Sequence, residues 1–573
     1  MDKIKLPNRH KTILKTAIPI FLFIGIFLYS FKSKQKMIEV YGHAAFYFIF
    51  LLFILWTFQV ILYLHHINFS LKPFIRTYWK GIVVSLIMTT IIFSSVPVHL
   101  KSLNDETNLL SVAKSMCDHQ NAYRIRMGKF FHDSFHIVQK DIPKRPLLFP
   151  FAIYVIHTVL GYDYQNVFIL NFTIMFLFFA GAYIGARQFT DNQTAIAAIF
   201  LLASYPIVSI YGTSGGFELF TCCFFYLSLA IVYIYLKNPD ANSFSLLWAT
   251  LLMLSNTRYE SFIFFIIIIG YIFFRKRRFY VKENAFLYSI TPILFLPYLW
   301  QRFLSVGRYQ NPEGVPLFSI NAFRENTWIM AKNFLNLDLF LPYNGILNVL
   351  TVLFLISLLV FIPTKIKKLK TYQVHFWIIA SICILIYMVI VLSHFMGIYD
   401  HPSSARLFLL FSIFCALSPV VIKIIRPGWI SGRALLFVSF ILFLFYHPVA
   451  SQHQFINSLL TARLHNQEQA FISKLNDPNV LILCAYPSQY VSQDFGAVTF
   501  SYANSHATTL INELENQLYS KIIAFQLINP DTNSPISEKQ ALGPLFQSYP
   551  IKQISVLPSV NLRISQILTE GKK

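Results

Sequence analysis

Apolar residues along this chain gather into long unbroken runs, and a bilayer core asks for roughly 20 such residues per helical span. Thirteen runs qualify or nearly qualify: 13–31, 43–65, 80–98, 165–187, 193–211, 216–236, 244–255, 261–274, 285–303, 343–363, 374–396, 403–422 and 432–446. No internal repeat divides them into halves. The first run is too long for the apolar part of a signal peptide, lacks a small-residue cleavage site and is followed by more spans, so it reads as a retained helix. The stretch 146–160 is apolar but short and follows Pro143 and Pro146, which predicts an interfacial or re-entrant helix. After residue 452 the chain turns polar, and its pattern predicts a strand at 480–484, a helix at 508–519 and strands at 522–527 and 553–557. The expected fold class is a polytopic α-helical membrane protein of about 13 transmembrane helices with a small C-terminal extracytoplasmic α/β domain.

Charge orients this layout. Lys and Arg number 47 against 25 Asp and Glu, a net +22. The excess lies between apolar runs, where positive-inside loops belong, and forms no solvated basic face for nucleic acid. A cytoplasmic N terminus (Lys3, Lys5, Arg9, Lys11) puts the clusters at 72–80, 275–278, 365–370 and 423–433 inside; Lys32, Lys34 and Lys36 fall outside and dissent. Facing outward are 101–164, 305–342, 397–402 and everything after 448. The domains read as 1–99 (N-terminal helices), 100–164 (first large extracytoplasmic loop), 165–304 (transmembrane core), 305–342 (second loop), 343–448 (C-terminal helices) and 449–573 (the α/β domain). Only 13% of residues are charged, about half the share of soluble proteins, which excludes a water-facing fold. The six cysteines form no CxxC and indicate neither a zinc site nor a disulfide scaffold.

Ionisable groups at span ends are costly and tend to mark function. In Ser102-Leu103-Asn104-Asp105-Glu106-Thr107 two carboxylates open an amphipathic helix, either as cap and dipole partners or as catalytic acids. Lys144 and Arg145, ahead of Pro146, suit a lipid phosphate or headgroup snorkelling. In Thr213-Ser214-Gly215-Gly216-Phe217-Glu218 a Gly-rich turn precedes an acid in the first turn of an apolar helix. The break Ser255-Asn256-Thr257-Arg258-Tyr259-Glu260 separates two short runs and reads as a cavity lining, with an Arg258–Glu260 ion pair as the structural alternative. In Tyr399-Asp400-His401-Pro402-Ser403-Ser404-Ala405-Arg406 a tight turn delivers an arginine, whose planar fork of donors fits phosphate oxygens. His132 and His136 have metal-ligand spacing but lack the HExxH glutamate, and read as a solvated face.

Taken in order, Asn104-Asp105-Glu106-Thr107, Ser111 to Met116, Lys144-Arg145-Pro146-Leu147-Leu148, Gly161-Tyr162, Ala182 to Arg187, Glu218, the 255–259 break and Ser404-Ala405-Arg406-Leu407 resemble the GT-C membrane glycosyltransferases. The nearest are the dolichyl-phosphate-mannose protein mannosyltransferases and the bacterial aminoarabinose transferases. The resemblance implies that Asp105 is the catalytic acid of the first-loop pair with Glu106 its neighbour. It further implies Lys144, Arg145, Arg258 and Arg406 at the donor phosphate, and Glu218, Tyr259, Glu260, Asp400 and His401 near substrate or a metal. It implies inverting transfer from a polyprenyl-phosphate sugar, with membrane lipid as surroundings; the outward segments hold no Asn-x-Ser/Thr acceptor, which favours a bacterial inner membrane with the site on its periplasmic face. The acceptor (lipid, glycan or protein) and the use of a divalent cation are left open. The sequence departs from the family at Lys144-Arg145-Pro146, where Lys-Pro-Pro is frequent, at Glu218, where Asp is usual, and in two extra N-terminal helices. The residues independently supply a carboxylate to take the acceptor's proton and cations for the departing phosphate. A transporter or flippase, and a polymerase or ligase using a diphosphate donor, are the alternative readings.

This topology predicts that cysteines introduced near Asp105, near Ser305 and in the tail react with an impermeant thiol reagent from outside, whereas those near Arg277 and Lys368 do not. Labelling at Arg277 in intact cells would overturn it.

Overall fold

The computed structural model describes residues 8–101, 103–131, 134–275, 283–305, 315–339, 341–365, 370–425, 428–452, 454–457, 459–475, 477 and 479–568. Lys3, Lys5, Ser102, His132, Lys276, Arg277, Arg278, Lys367, Lys368 and Arg426 lie outside them. The chain forms two compact units.

The first unit comprises Met1–His99, Lys144–Phe151 and Phe168–Phe455. Among the described residues seven helices are long and apolar enough to cross a membrane: Lys34–His66, Leu71–Ser95, Asn166–Arg187, Glu218–Lys237, Thr371–Ser393, Ala405–Ile425 and Gly432–Gln452. This is a polytopic helical membrane protein. The run expected as one span at 193–211 is instead two helices, Asn192–Ala203 and Pro206–Gly212, bent by 72°. Pro206 has no N–H to give and pushes Tyr205 out of the α region, which breaks the helix there. Beside these seven or eight long spans, the other apolar runs also form helices, Asn8–Ser30, Ala241–Ser255, Phe262–Phe274, Ala285–Ser305 and Gly345–Lys365, and the short stretch after Pro146 forms Leu148–Leu160. Helix starts are set by local chemistry: the carboxylates of Asp191 and Asp240 each accept two backbone N–H groups of the first turn, caps each worth about 1 kcal/mol. Deeper in, Trp300 is fully buried and donates through Nε1 to Ser30 Oγ at 3.0 Å, satisfying its polar edge.

The second unit comprises Leu100–Pro143, Ala152–Val167 and Ile456–Lys573. Its centre is one seven-stranded sheet of β1 (Arg124–Phe131), β2 (Ser134–Asp141), β3 (Val480–Leu483), β4 (Gly496–Val498), β5 (Lys521–Ile528), β6 (Gln547–Leu557) and β7 (Val560–Leu568), in the order β2-β1-β4-β3-β5-β7-β6. β3 runs parallel to β4 and β5 and is buried on both faces, as its uninterrupted Val-Leu-Ile-Leu requires. The tail strands and helix fall close to where the pattern placed them. The β1–β2 hairpin was not read from the pattern: it joins the tail sheet through Gly128 opposite Ala497, so the first loop and the tail, expected as separate domains, share one core. Gly128 is required there, because a Cβ would sit 2.0 Å from the Phe135 ring. Helix Leu103–His119 buries Leu109, Leu110, Val112, Ala113 and Met116 and packs on β1 and on the short helix Ser488–Val491.

Helix Leu460–Ile472 carries a buried histidine, His465, and a half-buried acid, Glu468, into this core. Glu468 Oε2 accepts from Gln489 Nε2 at 2.5 Å and Tyr490 Oη at 2.7 Å, yet burial still raises the carboxyl to about 6. Burial lowers His465 to about 4. Stability due to Glu468 is therefore complete below its ordinary 4.5 and lost as pH rises through about 6. Stability due to His465 is complete above 6.5 and lost as pH falls through about 4. Relative to the parent, Glu468→Gln should gain stability as pH rises from 4.5 to 6, by about 2 kcal/mol. His465→Phe should gain as pH falls from 6.5 to 4. Thermal unfolding of both variants across this range checks the signs.

Candidate functional site

The Gly-rich turn before Glu218 is shaped by its own polar groups. Ser214 Oγ donates to Tyr211 O at 2.7 Å and accepts from Gly216 N at 3.0 Å. From helix Asn166–Arg187, Asn171 Nδ2 donates to Ser214 O at 2.6 Å and Gly216 O at 3.0 Å. These bonds fold the turn tightly enough for Glu218 to lie back over it: a Cβ on Gly216 would stand 2.2 Å from Glu218 Oε2. The Glu218 side chain is 2% exposed and its Oε1 accepts from Arg406 Nη1 at 3.0 Å. Its Oε2 is buried and meets no hydrogen-bond donor among the described residues.

Arg258 follows the end of helix Ala241–Ser255, where Asn256 O accepts the backbone N–H of Leu148 at 3.2 Å. That bond ties the break to the Lys144-Arg145-Pro146 segment. The same segment is fixed from helix Ala285–Ser305 by Gln301 Nε2, which donates to Arg145 O at 2.8 Å. Phe217 lies under both cations, with the Arg258 and Arg145 guanidinium carbons 5.1 and 5.9 Å from its ring centroid. Arg258 Nε stands 2.7 Å from Glu260 Oε1, an ion pair off the line of a hydrogen bond. Glu218 and Tyr387 also lie within electrostatic reach of Arg258, and His394 within reach of Glu260. Lys144 and Arg145 are half-buried. Tyr259 packs edge-on against Tyr298 at 5.4 Å, with the Arg302 guanidinium 5.7 Å from its ring.

The 397–408 segment delivers Arg406. Gly397 is needed at its start, since a Cβ would meet Val391 O at 2.0 Å. Asp400 Oδ2 accepts from Asn333 Nδ2 at 2.9 Å. His401 is exposed and bonds Ser403 Oγ through Nδ1 at 2.7 Å, while its carbonyl accepts from the backbone of Ser404 and Ala405. Asp400 and His401 thus shape the turn, and Arg406 alone of the three joins the charged cluster.

Asp105 and Glu106 belong to the second unit. The helix there starts at Leu103, which puts both acids inside its first turn and excludes Asp105 from the cap position expected as one of its roles. Glu106 is 1% exposed and its Oε2 accepts from Lys101 N at 2.5 Å. Burial pushes the Lys101 amine well below its usual range, with Glu106 acting in the opposite direction. Asp105 is half-buried.

Three guanidiniums, Arg145, Arg258 and Arg406, thus gather about Phe217 and Glu218 against the carboxylates of Glu218 and Glu260. Such a cluster, charge-rich and stacked on an aromatic face, is equipped to bind an anion of fixed shape. Among the described residues no three of His, Cys, Asp and Glu are grouped to hold a metal ion. His136 lies on β2 bonded to Ser134, and His132 is outside the described residues. Phe217, Asn171 and Tyr387 were missed in the sequence. Phe217 stands inside a motif that drew attention for its glycines and acid, and one more phenylalanine among 59 carries no signal of its own.

Residues 144–300 match the family described as dolichyl-phosphate-mannose-protein mannosyltransferase. No curated protein matches the chain. Solved structures similar to it include ArnT from Cupriavidus metallidurans bound to undecaprenyl phosphate, at 10% identity over 86% of this chain and 98% of that one, with a TM-score of 0.49. Another is the archaeal oligosaccharyltransferase AglB from Archaeoglobus fulgidus in complex with an inhibitory peptide and a dolichol-phosphate, at 11% identity over 79% and 70%, with a TM-score of 0.42. The family match over 144–300 agrees with the resemblance to GT-C membrane glycosyltransferases drawn from the sequence. The matched stretch contains Lys144, Arg145, Glu218, Arg258, Tyr259 and Glu260.

Breaking the Arg406–Glu218 pair leaves a buried charge without its partner, which costs about 3–5 kcal/mol. Glu218→Gln alone should destabilise the protein by that order, whereas Glu218→Gln with Arg406→Gln should lose less than the sum of the two single variants. Thermal unfolding of the four proteins tests the coupling.

Proposed function

We propose that this protein transfers a sugar from a polyprenyl-phosphate donor to an extracytoplasmic acceptor, with inversion, the carboxylate of Asp105 serving as general base. What supports this reading most is the gathering of Arg145, Arg258 and Arg406 about Phe217 and Glu218, two of the three arginines lying within the family-matched segment.

The departing group in such a transfer is a lipid phosphate, on which negative charge grows as the sugar–oxygen bond breaks. Fixed guanidiniums stabilise that charge more in the transition state than in the bound donor, which is the requirement for catalysis. Arg258 and Arg145 are held in orientation by stacking on Phe217, and Arg406 is aimed by its pair with Glu218. Lys144, next in sequence to Arg145, adds a further cation to this reading. The unpartnered Glu218 Oε2 suits a hydroxyl of the sugar or acceptor. Tyr259 and Glu260 hold Arg302 and Arg258, and Asp400 and His401 shape the turn that carries Arg406. On the acid side, Glu106 is engaged with the backbone of Lys101 and fixes the first helical turn, while its half-buried neighbour Asp105 takes the acceptor's proton. The reading places the chemistry at the extracytoplasmic face of a bacterial inner membrane, with the 100–143 and 456–568 segments on that side.

Purified protein offered a panel of polyprenyl-phosphate and polyprenyl-diphosphate sugars should use the monophosphate donors. Asp105→Asn should keep insertion and donor binding while lowering turnover by about 10² to 10⁴. Arg406→Ala should weaken donor use, and Arg406→Lys should restore it only in part, because an ammonium cannot offer a planar pair of donors. Near-normal turnover in both Asp105→Asn and Glu106→Gln would remove the carboxylate mechanism, whereas a parent protein that transfers no sugar from any donor of the panel would move the transporter reading to first place.

A further inference from the structure

Around Arg406 the backbone is mostly outside regular helix: the long helix Thr371–Ser393 has ended, the chain turns at Gly397, and only a short 3₁₀ turn, Ala405–Phe408, precedes the next span. Carbonyls in such a segment need donors from elsewhere. Three tyrosine hydroxyls from separate parts of the same unit supply them. Tyr343 Oη donates to Tyr399 O at 2.7 Å and reaches Ala405 O at 3.5 Å. Tyr211 Oη, from helix Pro206–Gly212, donates to Pro402 O at 2.8 Å. Tyr387 Oη, from helix Thr371–Ser393, donates to Leu407 O at 2.8 Å. The bonded carbonyls bracket Arg406 on both sides, and the Tyr343 ring also stacks on Tyr399 at 4.0 Å. Tyr211, Tyr343 and Tyr387 are 1%, 2% and 5% exposed.

We infer that Tyr211, Tyr343 and Tyr387 are positioning residues that form a hydroxyl tripod, fixing the main chain around Arg406 so that its guanidinium is held ready for a phosphate monoester. This rests on the reading of Arg406 as a phosphate holder. The bonding pattern supports it beyond simple satisfaction of carbonyls. One donor bonds upstream of the arginine at Tyr399, one at Pro402 and one immediately downstream at Leu407, so each end of the segment is anchored to a different helix or helix approach. An arginine on a turn has two sources of misplacement, its own side chain and its backbone. The Glu218 pair restrains the first and the tripod the second. Tyr387 also lies within electrostatic reach of Arg258 and Glu260, so it borders the cluster as well as bracing it.

Tyr→Phe at each position removes one hydroxyl and keeps the ring. The test measures binding of undecaprenyl phosphate, as the probe, to the full-length protein in nanodiscs, alongside thermal unfolding. Tyr183→Phe is the control, because Tyr183 Oη donates to Asn192 Oδ1 in the same unit, away from this turn. Tyr211→Phe and Tyr343→Phe should each raise Kd about threefold to tenfold, the worth of one hydrogen bond. Tyr183→Phe should leave Kd unchanged. In an Arg406→Ala background the tyrosine substitutions should add nothing further to Kd. Should Tyr343→Phe yield too little folded protein, Tyr211→Phe carries the comparison. The tripod is overturned if the folded Tyr→Phe variants bind like the parent while Arg406→Ala binds weakly, or if their effects persist undiminished without Arg406. Failure of the underlying reading looks different: the parent does not bind the probe, or Arg406→Ala binds it as well as the parent.

Discussion

A guanidinium removed from water must be paired, stacked or both, and that constraint organises the charged cluster of the membrane unit. Arginine stays protonated in practice, so it cannot escape burial by losing its charge as a lysine can. Each cation of the cluster is met accordingly. Arg258 has Glu260 and the face of Phe217, Arg145 has the same face, and Arg406 has Glu218. The surrounding architecture follows from these demands. The Gly216 turn is tight because Glu218 must reach back over it, Asn171 holds that turn closed, and the break at 256–258 exposes backbone to bond the Arg145 segment.

The cluster is also unfinished in a way that suits binding. A fully neutralised ion-pair network in a membrane protein would serve stability alone. Here one carboxylate oxygen of Glu218 is buried with no donor among the described residues. A hydroxyl-bearing ligand would supply that donor. Stacking and ion pairing keep the site in shape before such a ligand arrives, which reduces the ordering cost of binding.

How far the sequence revealed this depended on the distance over which each feature is encoded. The Arg258-Tyr259-Glu260 pair spans three positions, and its ion-pair option could be written down from the break in hydrophobicity. The Arg406–Glu218 bond joins residues 188 positions apart: both ends were visible as polar exceptions, but their partnership was not. Tyr211, Tyr343 and Tyr387 carried no local signal, being three of 31 tyrosines in a chain where aromatic residues are common. Apolar runs located the spans, but run length cannot reveal the 72° bend that Pro206 imposes. In the second unit the tail strands were legible from their own composition. The β1–β2 hairpin was not, because its place is decided by a partner strand at the far end of the sequence.

That last arrangement has a consequence for biogenesis. Gly128 and its partner Ala497 are 369 positions apart (497 − 128), and at about 5–20 residues per second the ribosome needs roughly 20–70 s to make the intervening chain. For that interval β1 has β2 on one side and an unsatisfied edge on the other, a ready template for pairing with the wrong strand. Helix Leu103–His119, which carries the acids, packs on β1 and on helix Ser488–Val491, so it gains its final support only when the tail arrives. Synthesis order thus acts as a safety catch: a chain made as far as the last span but not the tail carries its arginine cluster and lacks a completed mount for its acids.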